Sequence, residues 1–205
     1  YWGKKDLRAI AKVEGIALRF ALGFSILFAV PAAAIPETMM RLFTEDQELI
    51  CLGGQYLRII SISYLCWGVS EIYLSVLRSI ERVRISMLLN VTALLLNIIL
   101  NAVFVFGLFG IRGVALATST SRAVQLIASL VVSAFSKDVK LQFRLMFEKS
   151  GVLLKDFVRL SLPALGNDVI WSVAFSMYSV IMGHMGSDVV AANSLVVVVR
   201  NFSTV

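Results

Sequence analysis

Long runs of apolar residues are the feature that most limits what this chain can fold into. Such runs are far too long for barrel strands and lack the period-two alternation of those strands. A helix needs about 20 mostly apolar residues to cross a bilayer. Six segments have this character: 15–36, 50–76, 86–109, 113–135, 160–183 and 188–205. The pattern predicts an all-α integral membrane protein, a polytopic helical bundle with about six transmembrane helices in the 205 residues.

Composition supports the same class. Hydrophobic residues make up 59% of the chain and charged residues 16%, against about 45–50% and about 25% in soluble domains. A soluble bundle would have to expose much of this apolar surface to water, since each surface helix shows one face to solvent. Lipid as the outer solvent removes that conflict.

The net charge of +6 raises the question of a nucleic-acid partner, and the position of the basic residues answers it. Thirteen Lys and Arg residues fall in 1–14, 77–85 and 136–159, whereas the intervening loops hold two, Arg41 and Arg112. Cytoplasmic loops of membrane proteins carry such an excess. We therefore expect these three segments to be cytoplasmic and expect no nucleic-acid partner.

The long connection 136–159 alternates basic and apolar residues. This pattern is typical of an amphipathic helix lying on the membrane surface, although a calmodulin-type target would look similar. It predicts a boundary between two bundles: 1–135 with four transmembrane helices, the linker 136–159, and 160–205 with two.

Polar residues inside predicted membrane helices are costly, so they mark function by default. Asp168 and Asn167 lie shortly after Pro163, which leaves a backbone carbonyl without its usual donor. A carboxylate, an amide and a freed carbonyl are oxygen ligands suited to a proton or small cation. The alternative without a functional role is that Asp168 is solvated near the cytoplasmic end of its helix.

Aromatic residues share a helix face with Asp168. Trp171 and Tyr178 follow it on neighbouring turns. An acid beside aromatic walls is what an organic cation needs, but such a stripe is more often plain packing.

Three amides form a stripe on the third apolar segment. Asn97 and Asn101 are four residues apart, and Asn90 lies seven before Asn97, so all three share one face. We expect that face to meet protein or a water-filled cavity rather than lipid. The amides either bind substrate or link neighbouring helices. In the second case each hydrogen bond between helices would stabilise the fold by about 0.6 kcal/mol.

Glu71 and Arg122 lie within the second and fourth apolar segments at comparable depth. Because a lone charge is costly in hydrocarbon, we hypothesise that the two form a pair. Glu71 is also a candidate for the substrate cavity. The sequence contains no HExxH, GxSxG or phosphate-binding glycine loop, so we expect neither an enzyme nor a metal site or cofactor.

Several strings resemble the multidrug and toxic compound extrusion (MATE) transporters, in the order in which that family has them. They are Tyr1-Trp-Gly-Lys-Lys-Asp6, Gln55-Tyr-Leu-Arg-Ile59, Val76-Leu-Arg-Ser79, Asn97-Ile-Ile-Leu-Asn101, Phe104-Val-Phe-Gly107, Gly113-Val-Ala-Leu-Ala-Thr118 with Ser121-Arg122, and Leu162-Pro163. The resemblance spans essentially the whole chain.

The resemblance implies a protein of twelve helices in two pseudo-symmetric lobes, of which this chain is a fragment holding helices three to eight. It implies export of organic cations or drugs in exchange for sodium ions or protons, from the plasma membrane. We expect the protein to act as a monomer in the lipid bilayer, with the coupling ion in place of any cofactor.

The functional positions of the family match this chain only in part. Many members have an acid where this chain has Asn101, and an amide cannot titrate. Other members use an acid in the seventh helix, where this chain offers Asp168, although some place it one turn later, at Trp171. We therefore take Asp168 with Asn167 as the cation-coupling site, and Asn97, Asn101, Glu71, Trp171 and Tyr178 as the substrate cavity. The alternative functions are a lipid-linked oligosaccharide flippase of related fold and a non-transporting membrane scaffold.

Overall fold

A computed structural model describes residues 2–4, 6–105, 110–136 and 151–203, without the side chains of residues 187 and 198–203. Within these ranges the chain is helical and contains no strand. After a 3-10 turn at Trp2–Lys4, the helices are α1 (Leu7–Ala34), α2 (Pro36–Arg41), α3 (Gln47–Ser79), α4 (Val83–Phe104), α5 (Gly110–Phe135), α6 (Gly151–His184) and α7 (Ser187–Ser203). The predicted all-α architecture is confirmed.

Side-chain caps start two of the long helices. The Asp6 carboxylate accepts a hydrogen bond from the Ala9 backbone N–H at 3.0 Å and begins α1. Asp46 accepts from Glu48 N–H at 2.9 Å and begins α3. An acidic N-cap satisfies amide groups that have no partner inside the helix, so both starts are specified locally.

The bundle is built around α3, which packs against α1, α4 and α5. Its last turns and the residue that follows them supply the main core, in which Tyr73, Leu74, Leu77 and Ile80 are buried. Trp2 and Ile10 from the start of the chain pack on this cluster, as does Ile85 of α4. The first residues of α1 therefore lie at the same end of the bundle as the turn between α3 and α4.

Small residues form the buried face of α5. They are Gly113, Ala115, Ala117, Ser121, Ser129 and Ser133. Small side chains let helix backbones approach closely in membranes. At Gly113 the approach is closest, because an added Cβ atom would lie 2.7 Å from the backbone oxygen of Phe104 on α4.

Large apolar side chains cover the outside of the bundle. On α4, Leu88, Leu94 and Val103 are each about 60% exposed. Five helices of the described part, α1 and α3 to α6, are long and apolar enough to cross a membrane. The sixth predicted crossing, 188–205, corresponds to α7, which has 17 residues and a shorter apolar stretch.

α6 lies alongside the bundle rather than inside it, and none of its described side chains is buried. Phe157 near its start stacks on Phe20 of α1, with ring centroids 5.6 Å apart. Gly183 near its end touches the backbone of Phe43, after α2. α6 begins at Gly151 rather than near residue 160, so residues 151–159 of the predicted linker continue this helix. The rest of the linker prediction, 137–150, lies outside the described residues.

Candidate functional site: a polar groove between α4 and α5

The asparagine stripe of α4 faces α5. The Asn97 amide donates to the Thr118 hydroxyl at 3.3 Å and to the Ser121 hydroxyl at 3.2 Å. Asn101 donates to the Asn97 carbonyl oxygen at 3.0 Å, while its own buried Oδ1 has no hydrogen-bond partner in the described part of the chain. The prediction that the stripe faces protein rather than lipid is confirmed.

A second polar chain continues the contact toward the start of α4. Gln125 of α5 donates to Asn90 Oδ1 at 2.8 Å and accepts from the Arg122 guanidinium at 2.9 Å. That guanidinium also lies over the ring of Trp67 on α3, 5.8 Å from its centroid. The ring face attracts a cation at this distance, so Arg122 is held by an amide and an aromatic side chain.

These side chains surround a polar groove between α4 and α5 with a volume of about 290 Å³. Its lining is Asn90, Ala93, Leu94, Asn97, Thr118, Ser121 and Arg122. The described lining contains amides, hydroxyls and one guanidinium but no carboxylate. The groove can therefore hydrogen-bond a polar ligand, whereas a carboxylate for a cation must come from another part of the protein.

Glu71 does not line this groove. Its carboxylate pairs with Arg78 on the same helix at 2.6 Å, and Arg78 also donates to the Ser75 hydroxyl at 2.7 Å. The hypothesised pair of Glu71 with Arg122 is wrong. Residues seven apart lie two turns along one helix face, so α3 itself supplies the partner.

The α6 candidates lie apart from the groove. Asp168 and Asn167 are exposed in the structure, and Asp168 has no hydrogen-bond or ion-pair partner among the described residues. Trp171, on the next turn, stacks on Phe175 with ring centroids 5.7 Å apart. Tyr178 is 45% exposed. These residues form one open face of α6 that no described element covers.

Three further residues escaped the sequence analysis. Gln125 and Trp67 contact Arg122 beside the groove, and Glu14 is buried in α1 with 2% of its surface exposed. Helical spacing gives a signal for Glu14, because it lies between the core residues Ile10 and Leu18 at intervals of four. We expected residues 1–14 to be a basic cytoplasmic segment and made no prediction for Glu14 at its end.

A bundle of long apolar helices with polar side chains gathered on one inner contact defines a multi-pass membrane protein. Comparison with known proteins adds the family. The MatE family model matches residues 1–103, which is half of the chain, and the protein belongs to the MatE family.

Curated relatives match almost the whole chain at low identity. The uncharacterized transporter YisQ of Bacillus subtilis is 23% identical over 90% of this chain and 41% of its own length. The probable multidrug resistance protein NorM of Streptococcus pneumoniae is 28% identical over 93% of this chain and 43% of its own length. DNA damage-inducible protein F of Escherichia coli is 25% identical over 98% of this chain and 44% of its own length.

The chain thus spans less than half the length of these relatives. No solved structure matches it at the significance that the curated relatives reach. Two of these relatives carry names that refer to transport or to drug resistance, and none of the three names describes an enzyme.

Proposed function

We propose that this chain is part of a cation-coupled antiporter that exports organic cations or drugs by alternating access. The observation that carries the proposal is the polar groove between α4 and α5 in an otherwise apolar bundle. Polar side chains inside membrane helices mark ligand pathways by default. Membership of the MatE family and similarity to a probable multidrug resistance protein support the same function.

In this proposal the groove forms one wall of the substrate cavity. Its volume of about 290 Å³ is at the lower limit of the range of about 300–1,000 Å³ for small-molecule sites. A drug-sized substrate would therefore use the groove together with other walls. Asn97 and Asn101 offer hydrogen bonds, and the aromatic face with Trp171 and Tyr178 on α6 offers stacking surface.

Asp168 with Asn167 is the proposed cation-coupling site. Sodium ions prefer carboxylate and amide oxygens, and a proton needs a titratable group, so either ion suits this pair. Binding of the ion shifts the equilibrium between inward-facing and outward-facing states only if its affinity differs between them. The same two-state equilibrium then links the ion to the organic cation.

We further propose that the protein acts as a monomer in the plasma membrane, with 1–14, 77–85 and 136–159 on the cytoplasmic side. The packing of Trp2 against the buried cluster that contains Leu77 and Ile80 supports a common side for the first two of these segments. The start of α6 beside α1 is consistent with the third.

The test uses the full-length protein in proteoliposomes loaded with a fluorescent organic cation. Efflux is followed under an imposed sodium gradient and, separately, a proton gradient. We expect one gradient to drive efflux and Asp168→Asn to abolish that acceleration. Asp156→Asn on the same helix is the matched control and should behave like the unmodified protein.

The outcomes separate the alternatives. Gradient-driven efflux that Asp168→Asn leaves intact would overturn the coupling assignment but retain the exporter. Absence of gradient-driven efflux for every tested cation would contradict the antiporter. A flippase for a pyrophosphate-linked lipid would need a strongly cationic cavity, and the described groove contains one guanidinium, which already contacts Gln125 and Trp67.

A further inference from the structure

Glu14 is a buried acid that the proposed coupling site does not use. It lies on α1 with 2% of its surface exposed. Its Oε1 atom has no hydrogen-bond partner in the described part of the chain. Since the neighbouring helices of the described bundle bury it, its burial does not depend on any other part of the protein.

Among the residues that the structure describes, Tyr73 of α3 is a titratable group that faces Glu14. Its side chain is fully buried, and it lies close enough to interact electrostatically with the Glu14 carboxyl group. Beside its hydroxyl lie the hydroxyls of Ser133 on α5 and of Ser136, which follows α5. An acid and a phenol therefore share a buried site at the contact of α1, α3 and α5.

A cavity connects this acid to one end of the bundle. It has a volume of about 470 Å³ and lies between α1, α3 and the start of α6, where Phe157 forms part of its wall. Ser75 and Ser79 place hydroxyl groups along it toward the last turn of α3. Of the described lining residues, Glu14 is the one with an acidic or basic side chain. This volume is many times the roughly 30 Å³ that one water takes up in the liquid, so the cavity is large enough to admit water to Glu14.

We propose that Glu14 is a proton-binding site of the transport cycle, which exchanges its proton through this cavity with the cytoplasmic side. The inference rests on the proposed function and adds a site to it. In the exchange, the O–H bond of the neutral acid breaks, a cavity water takes the proton as hydronium, and the carboxylate keeps the electron pair.

Burial makes this exchange sensitive to conformation. An isolated ionised carboxylate is very costly away from water. The packed arrangement described here therefore holds Glu14 as the neutral acid, and its deprotonated form requires water or a cation to reach it. A state that opens the contact of α1 and α3 differs in proton affinity from one that closes it, which is the condition for coupling.

Two measurements on the full-length protein test the proposal. Infrared difference spectra of the unmodified protein against Glu14→Gln, recorded from acidic to alkaline buffer, should show a neutral carboxylic-acid band that belongs to Glu14 and disappears on titration. In proteoliposomes, the efflux rate of a fluorescent organic cation should change at least about fivefold over the same buffers, the lower end of typical coupling. Glu14→Gln should remove most of that change.

Glu81→Gln is the control, because this exposed acid lies in the nearby turn between α3 and α4. It should keep both the band and the pH profile. Glu14→Asp keeps an acid on a shorter side chain, so it should retain a titrating band and a displaced pH profile. This variant keeps the test valid if Glu14→Gln does not fold.

Failure of this inference differs from failure of the proposed function. Efflux with an unchanged pH profile in Glu14→Gln would overturn the role of Glu14 whether or not its band titrates, and leave the exporter standing. A band that does not titrate would identify Glu14 as a structural neutral acid. Absence of efflux in the unmodified protein would contradict the proposed function, while the infrared titration would still report on Glu14.

Discussion

Asn97 has three hydrogen-bonded partners, and two of them lie across the contact of α4 and α5. Asn97→Leu removes these bonds and leaves the hydroxyls of Thr118 and Ser121 facing an apolar side chain. At about 0.6 kcal/mol per bond between membrane helices, we expect the free energy of unfolding to fall by about 1–2 kcal/mol. Equilibrium unfolding of the full-length protein in detergent measures this change.

Ile98→Leu is the control for that prediction, since Ile98 is 56% exposed on the outer side of α4. Its effect should remain within about 0.5 kcal/mol. An equal loss of stability in both variants would contradict the assignment of a linking role to Asn97.

The ion pair of Glu71 with Arg78 should contribute little to stability, because the two side chains are 35% and 40% exposed. Exposed pairs contribute about 0–1 kcal/mol. A double-mutant cycle with Glu71→Gln and Arg78→Gln should therefore give a coupling energy below about 1 kcal/mol. A coupling well above that value would indicate that the pair is buried in the full-length protein.

Sequence patterns specified some of these residues and not others. The spacing of Asn90, Asn97 and Asn101 fixed their common face, since position around a helix follows directly from sequence distance. The predicted pairing of Glu71 with Arg122 was wrong because equal depth in the membrane does not determine the direction in which two side chains point. Glu14 was missed because nearby lysines and arginines masked its place on the core face.

At the scale of helices, α5 depends on its small residues. Gly113→Ala would place a Cβ atom 2.7 Å from the Phe104 backbone oxygen, which cannot move without displacing α4. We expect a loss of about 1–3 kcal/mol, typical of overpacking, measured by the same unfolding experiment.

Gly166→Ala is the matched control for Gly113→Ala. Gly166 lies in α6 and has no neighbour within 4 Å of an added Cβ atom. Alanine is favoured over glycine in a helix interior by about 1 kcal/mol, so this variant should be neutral or stabilising. Destabilisation by Gly166→Ala as large as that by Gly113→Ala would contradict the close approach of α4 and α5.

The existence of the long helices followed from apolar length alone, whereas their ends did not. The predicted second crossing begins at residue 50, but α3 begins at Gln47 because Asp46 caps it. α6 extends back to Gly151 because the residues assigned to the linker are themselves good helix formers. Which helix covers α6 is not encoded in its own pattern, since exposed apolar side chains such as Leu160, Leu162 and Ile170 lie on more than one of its faces.

At the scale of the molecule, the arrangement predicts which turns share a side of the membrane. With all native cysteines replaced in the full-length protein, Ser79→Cys at the end of α3 should react with a membrane-impermeant thiol reagent in inside-out vesicles. Glu45→Cys, in the turn before α3, should react in right-side-out vesicles. The charge asymmetry of the loops gives this orientation.

Labelling of both cysteines from the same side would contradict the topology. Labelling of each from the side opposite to that expected would retain the bundle and invert its orientation, so the basic segments would not be cytoplasmic. The inference that the cavity at Glu14 opens to the cytoplasm depends on this result.

Composition and hydropathy were enough to predict that the molecule is a membrane protein. The average hydropathy of a helix indicates whether lipid or water surrounds it. The surroundings of the proposed coupling acid, Asp168, cannot be predicted from composition in the same way. Asp168 lies on an α6 face that no described element covers, so its partners depend on parts of the protein beyond this bundle. The sequence identifies the acid as a candidate, and its role stays a prediction.

The most direct test of the antiporter uses no imposed ion gradient. Full-length protein in proteoliposomes is given a gradient of the organic cation alone, and internal sodium and pH are followed by fluorescent indicators. Since coupling is reciprocal, we expect the cation gradient to drive sodium ions or protons the opposite way, and we expect Asp168→Asn to stop this flux. Movement of the organic cation without any opposing ion flux would contradict the antiporter.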